Sequence, residues 1–330
     1  MGETKSKSGV LTAGSEASAT SKAKIKKVWY KRVWVYVVGG ILLIILSYLT
    51  VQGIRCGVAV KKSRERLATL SAKTVVLSYG NMTYLDRGEG VAVLSVHGIF
   101  GGYDQALEQT GDFGEGYRII APSRFGYLGS DVLGTGSPRE QAIAFAELLD
   151  YLNIDSAYVF ATSAGGTSAI RFALDFPERV KGLILFSSAM PFTEKPAKTA
   201  DYIGVPEALC TDYAMFLFSP LFEPIMGMKP STVSGILPVA ERKRGIVLDS
   251  RMSNTDMGKN FDAYNVEALQ MPTLILQAKD DKLSSYEQAR LAFARFPNCI
   301  FLTFETGGHL IEGHSEEIKE DIAKFTGRTG

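Results

Sequence analysis

From Thr74 onward the chain carries eight short, β-leaning apolar runs: TVVLSYG, NMTYLD, VAVLSVHG, YRIIAPS, AYVFATS, KGLILFSS, PTLILQA and CIFLTFE. Between most of the later runs lie segments with apolar residues at helical spacing, such as SPREQAIAFAELLDYL, SSYEQARLAFARF and SEEIKEDIAKF. This alternation predicts an α/β fold with a mostly parallel central sheet flanked by helices on both faces. The first two runs, separated by Gly80-Asn81, read as an antiparallel hairpin leading into that sheet. With 330 residues, 46% of them hydrophobic and 22% charged, the chain has enough apolar mass for one large globular domain.

The alternation breaks between KGLILFSS and PTLILQA. Residues 190–270 hold seven of the twelve prolines. A stretch this long inside a compact domain is usually a functional insertion. Its place after the sixth run puts it over the carboxyl ends of the strands, where open α/β sheets bind ligands. It reads as a cap, and its Phe216, Phe218, Phe222, Met226 and Met228 are candidates to line a substrate-binding site.

The N-terminal part is of another kind. Residues 33–54, VWVYVVGGILLIILSYLTVQGI, contain no charged side chain. At a helical rise of 1.5 Å per residue such a run spans about 33 Å, roughly one hydrocarbon core, so it reads as a transmembrane helix. Trp29, Tyr30, Trp34 and Tyr36 at one end and Tyr48 near the other suit membrane interfaces. The run is too long for the core of a cleaved signal peptide and no A-x-A site follows, which makes it a signal-anchor. The preceding residues 1–32 are Ser-, Ala-, Gly- and Lys-rich and read as a disordered basic tail, with 55–73 as a linker. MGETKS fits a myristoylation pattern, but beside a span it would add little anchoring.

Charge gives the orientation. Residues 1–32 carry eight Lys and Arg, whereas Arg55, Lys61, Lys62, Arg64 and Arg66 follow the span. The positive-inside rule places the tail in the cytoplasm and the body on the extracytoplasmic side of a single-pass membrane protein. The rest of the chain holds 28 basic and 33 acidic residues, a mildly acidic balance that argues against a nucleic-acid partner. Cys56, Cys210 and Cys299 are too few and too scattered for a metal site such as zinc, and the sequence leaves open whether Cys210 and Cys299 pair. Oligomeric state is not legible.

Residues 157–170, AYVFATSAGGTSAI, place Ser163 on the seam between a strand and a helix, among Ala161, Ala164, Gly165 and Gly166. A turn that sharp strains its apex and excludes bulky neighbours. A serine hydroxyl is a poor nucleophile, so it needs a base, an acid that orients the base, and donors for an oxyanion. Three histidines are available: His97, His309 and His314. His309 is the preferred base, since a strand-end position beside two glycines lets the ring turn back over the sheet edge, while His314 is expected to face solvent. Asp280 and Asp281 both follow TLILQ, and neighbouring side chains leave an extended segment in opposite directions, so only one can reach the histidine.

Taken together, these segments resemble the α/β-hydrolase fold in its capped, serine esterase and lipase form, over residues 74–326. HG at 97–98 is similar to the family's oxyanion loop, APSRFGYLGS to its R-x-G-Y loop and ATSAGG to its G-x-S-x-G-G elbow. TLILQAKDD is similar to the acid segment and TGGH to the histidine segment, in the order Ser, Asp, His. The resemblance implies a catalytic triad of Ser163, Asp281 and His309, an oxyanion hole from the backbone N–H groups of Ile99 and Ala164, a structural His97, and no cofactor. The acid falls on Asp281 because the family's acid comes three residues after the small residue that ends the strand, here Ala278. Asp280 is then a solvated loop residue. Ala161 and Leu128 stand where the family most often has Gly.

A serine at the apex excludes the relatives that attack with a carboxylate. The expected protein is a membrane-anchored serine hydrolase acting on a carboxylic ester, small or lipidic. Amide-cleaving, C–C bond-cleaving and peroxidase-type relatives use the same triad, and a ligand-binding receptor could keep the pocket with little turnover; these alternatives stay open.

Overall fold

The structure, a computed structural model, describes residues 13–328. It divides into two compact units at Arg55 and Cys56. The described residues of the first are helical, and α1 runs from Ala13 to Thr69. None of the residues of its uncharged stretch is buried, and the stretch is long and apolar enough to cross a membrane.

Two expectations are corrected by α1. Residues 13–32, expected as disordered tail, are helical, because the Ala- and Lys-rich sequence here is made of good helix formers and only has to extend a helix already nucleated downstream. Residues 1–12, with the MGETKS motif, lie outside the described residues. The expected linker is also helical as far as Thr69, and its residues Cys56, Val60 and Leu67 are buried. Tertiary packing on the body, with Ser63 Oγ donating to Ser234 O at 3.2 Å, holds what composition alone left undecided.

In the second unit the eight expected runs form eight strands: β1 (Lys73–Leu77), β2 (Gly80–Arg87), β3 (Val91–Val96), β4 (Tyr117–Pro122), β5 (Ala157–Thr162), β6 (Val180–Phe186), β7 (Thr273–Ala278) and β8 (Cys299–Phe304). They make one sheet in the order β1-β2-β4-β3-β5-β6-β7-β8. β1 and β2 pair antiparallel, as do β2 and β4, and all later pairs are parallel. The hairpin register pairs Leu77 with Gly80, so its turn is Ser78-Tyr79 and Gly80, at φ 103°, opens β2 rather than the turn.

Helices α2 (Tyr103–Glu108), α3 (Pro138–Tyr151), α4 (Gly165–Asp175), α10 (Tyr286–Phe293) and α11 (Ser315–Phe325) flank the sheet. α3 and α10 begin on serine caps, Ser137 and Ser285. Ser137 and Glu140 close a capping box at the start of α3, with Pro138 at its first position. One apolar cluster packs α3 and α4 on one face of the sheet and a second packs α2 and α11 on the other. Between β6 and β7, where a cap is expected over 190–270, lie α5 (Asp212–Phe218), α6 (Phe222–Met226), α7 (Val233–Ile236), α8 (Lys243–Leu248) and α9 (Asn254–Lys259).

Candidate active site

Ser163 follows β5 directly and has φ 49°, a left-handed backbone that a non-glycine residue adopts only when its surroundings enforce it. Those surroundings are tight. A Cβ on Gly165 would lie 2.5 Å from Val96 O, and one on Gly166 would lie 1.8 Å from Ser188 Oγ. Ala161 is fully buried, opposite Val96 and Leu185, and its methyl group fits the space a glycine would leave. The elbow thus turns the Ser163 side chain out at the carboxyl end of the sheet. Among the described residues its Oγ has no hydrogen-bond partner within the chain.

Gly98 lies against the nucleophile candidate: a Cβ there would be 2.9 Å from Ser163 Cβ. The loop from His97 to Gly102 is held from several sides. His97 is fully buried; its Nε2 accepts the Arg124 backbone N–H at 2.9 Å, so Nδ1 carries the proton and donates to Gly98 O at 2.7 Å. Burial, then the Arg124 charge, keep this imidazole neutral, well below the usual histidine range. Arg124 Nε donates to His97 O at 2.8 Å, and Arg242 Nη1 donates to Gly101 O at 2.6 Å. Phe100 has φ 64°. Among the described residues neither the Ile99 nor the Ala164 backbone N–H has an acceptor within the chain, so both are free to serve an incoming oxygen.

His309 sits on a short turn, Gly308–Leu310, after β8. Gly307 and Gly308 take φ 119° and 60°, which folds the buried ring back toward β7. Its Nδ1 lies 2.9 Å from Asp281 Oδ2 and 3.1 Å from Oδ1. Asp281 also accepts the N–H groups of Leu283 at 2.8 Å and Ser284 at 3.0 Å, and Gln277 Nε2 at 3.0 Å. Burial pushes this carboxyl up, but the His309 hydrogen bond and charge, with the two backbone N–H groups, outweigh it and hold Asp281 below the usual carboxylate range. Gln277 and Ser284 were missed by sequence reasoning; a lone glutamine near the end of the apolar strand TLILQA was the available signal.

The neighbouring Asp280 is exposed, yet its carboxylate accepts the N–H groups of Gly307 at 3.3 Å and Gly308 at 2.8 Å. It is a brace for the histidine turn, which corrects its reading as a merely solvated residue. His314 is half-buried rather than solvent-facing, edge-on to Phe304 and 3.2 Å from Glu317.

The cap covers this end of the sheet with a third apolar cluster that takes in Phe100, Phe222, Met215 and Tyr127 and also Cys56 and Val60 of α1. Ile99, Phe216, Met226 and Met228 pack at its margin. Phe218 does not belong to it and is exposed. Two buried ion pairs anchor the cap: Arg124 with Asp249, at 2.5 and 2.6 Å, and Arg242 with Asp104, at 2.8 and 3.0 Å. Arg66 of α1 reaches the same Asp104 at 2.7 Å. Leu128 is buried where Gly102 lacks a side chain; a Cβ on Gly102 would lie 2.6 Å from Leu128 Cδ1. All three cysteines are free, with burial pushing the Cys299 thiol up to about 12.

The family profile described as the alpha/beta hydrolase fold matches residues 91–205. Over 266 residues, 72% of the chain and 92% of the relative, the sequence is 28% identical to the uncharacterized hydrolase YcgS of Bacillus subtilis. It is 25% identical over 68% of its length to a 2-hydroxy-6-oxononadienedioate/2-hydroxy-6-oxononatrienedioate hydrolase of Comamonas testosteroni, 83% of which is covered. Among solved structures, a thermophilic esterase from Thermogutta terrifontis superposes with a TM-score of 0.60 at 20% identity, over 77% of this chain and 99% of that one. The chain has the α/β-hydrolase fold. Its curated relatives are hydrolases, and a hydrolase is the class of protein it is.

Proposed function

We propose that the protein is a membrane-anchored serine hydrolase that cleaves a carboxylic ester whose acyl group lies under the cap. The observation that carries this reading is the pairing of a strained, unpartnered Ser163, set beside two unengaged backbone N–H groups, with a histidine whose far nitrogen is fixed by Asp281. His309 Nε2 takes the Ser163 proton as Oγ attacks the carbonyl carbon, and the oxyanion accepts from Ile99 and Ala164 N–H. The intermediate collapses to an acyl-enzyme as His309 returns the proton to the leaving alcohol. Water, deprotonated by the same nitrogen, then releases the acid and restores Ser163. Asp281, kept ionised, holds the tautomer and stabilises the imidazolium. An N–H donor aimed at an oxyanion is worth about 10²–10³-fold in turnover.

An uncharged, apolar substrate suits the surroundings better than the acids named for the dienedioate hydrolases. A carboxylate would need a cation in the pocket, and the buried Arg124 and Arg242 are each already neutralised by an aspartate. C–C bond cleavage is the second reading, supported by those relatives' names. Labelling with a fluorophosphonate and a series of p-nitrophenyl esters tests the first: loss of labelling in Ser163→Ala and turnover that depends on acyl length are expected, while failure of both in the folded native protein would favour a binding role. For topology, protease added to intact cells or spheroplasts should reach the body beyond Lys61 and spare the tail; the reverse pattern would overturn the cytoplasmic assignment of the N-terminus.

A further inference from the structure

Residues 213–228 of the cap, YAMFLFSPLFEPIMGM, hold a single charge, Glu223, in sixteen positions. Segments this apolar are ordinarily buried on every side. Here α5, the turn Ser219–Leu221 and α6 make one continuous helical path with two faces. Met215, Ser219 and Phe222 are buried against the body. At the complementary spacing Phe218, Leu221 and Ile225 are 42%, 47% and 66% exposed. The ridge ends beside the catalytic turn: Lys282 Nζ donates to Pro224 O at 3.3 Å, and a Cβ on Gly308 would lie 3.6 Å from Gly227 O. Leu283 and Leu310 add exposed apolar surface next to these contacts. A large contiguous apolar patch on a protein surface marks an interaction site.

Chain connectivity selects the occupant. The inward face of this path shares its apolar cluster with Cys56 and Val60, two and six residues after Ile54, where the uncharged run stops. We propose that Phe218, Leu221 and Ile225 form a bilayer-docking ridge, inserted into the membrane crossed by residues 33–54, so that substrate reaches Ser163 from the lipid layer. This rests on the reading of residues 33–54 as a membrane span. An apolar helix face docked in this way sinks roughly 5–10 Å below the headgroups.

The chain's two tryptophans, Trp29 and Trp34, flank or enter the run and leave the cap free of indole. The full-length protein is placed in phosphatidylcholine vesicles containing lipids spin-labelled high on the acyl chain. Quenching of the native tryptophans reports the span alone. The ridge is read in a variant carrying Trp29→Phe, Trp34→Phe and Ile225→Trp, with Leu221→Trp in place of Ile225→Trp as a second probe. Thermal unfolding like that of the native protein shows that each variant is folded. Quenched emission from both ridge probes, alongside quenched native tryptophans, is the expected result. Quenched native tryptophans with unquenched ridge probes would overturn docking and leave the span intact. Blue-shifted, unquenched and concentration-dependent ridge emission would overturn it in favour of a second copy of the chain. If nothing is quenched, the span reading itself falls and takes the ridge with it.

Discussion

Asp280 and Gly308 are joined by a 2.8 Å hydrogen bond from the glycine N–H to the carboxylate, while the next residue, Asp281, holds His309 from the other side. Two adjacent acids therefore place His309, the proposed base, together, Asp280 by fixing the backbone that carries it and Asp281 by fixing the ring. Asp281→Asn should lower ester turnover by about 10⁴-fold. Asp280→Asn keeps one of the two accepted N–H bonds and loses the other, about 1 kcal/mol, and should cost no more than about tenfold. Turnover of the two variants on one ester, measured side by side, checks the order; a severe loss at 280 with little at 281 would invert it.

Ser163→Ala should remove up to about 10⁶-fold of turnover, since triad members act as a unit. The fold should survive, and thermal stability should be no lower than native. Residual esterase activity of native size in the purified variant would reassign the nucleophile.

Phe222 is buried in the cluster that also holds Phe100 of the oxyanion loop. Phe222→Ala removes buried volume at a stability cost of about 3–5 kcal/mol. In Phe222→Leu, which keeps most of the packing, acyl-length preference in the p-nitrophenyl series should shift while the acetate is still cleaved. Loss of the acetate reaction in a folded variant would mean that the cap acts on the chemical step.

Asp104 gives a pH-dependent prediction. Burial raises its carboxyl pKa, but Arg242 and Arg66 outweigh burial and hold it below the ordinary value. A depressed carboxylate contributes stability that is fully present above its unfolded pKa of about 3.9 and lost as pH falls through the lower folded value. Asp104→Asn should thus cost about 3–5 kcal/mol at neutral pH by stranding the buried Arg242, and the gap to native should narrow below about pH 4. Urea unfolding across that range checks it; a gap independent of pH would show that the charge is not what stabilises.

Sequence reasoning succeeded where the signal is local. The strands read from runs a few residues long, the sharp turn at Ser163 from the small residues packed around it, and the turn that carries His309 from Gly307 and Gly308. What it missed depends on partners far along the chain. Arg124 and Asp249 are 125 positions apart, and nothing in either neighbourhood announces the other. Residues 56–69 look like a charged linker because their apolar side, Cys56, Val60 and Leu67, is sparse and makes sense only against the body. Gln277 and Ser284 have no role until Asp281 is placed between them.

Leu128 and Gly102 stand 26 positions apart and occupy what is, physically, one space. A side chain can sit at either position but not at both, so the two sites are epistatic. Gly102→Ala alone should drive its methyl group into Leu128 and displace the loop that carries Ile99, whereas combined with Leu128→Gly it should be far milder, leaving only the 3.1 Å approach to Arg242 Nη1 to be relieved. With Leu128 in place, position 102 has room for glycine alone, so the identity of one residue dictates the other across 26 positions of chain.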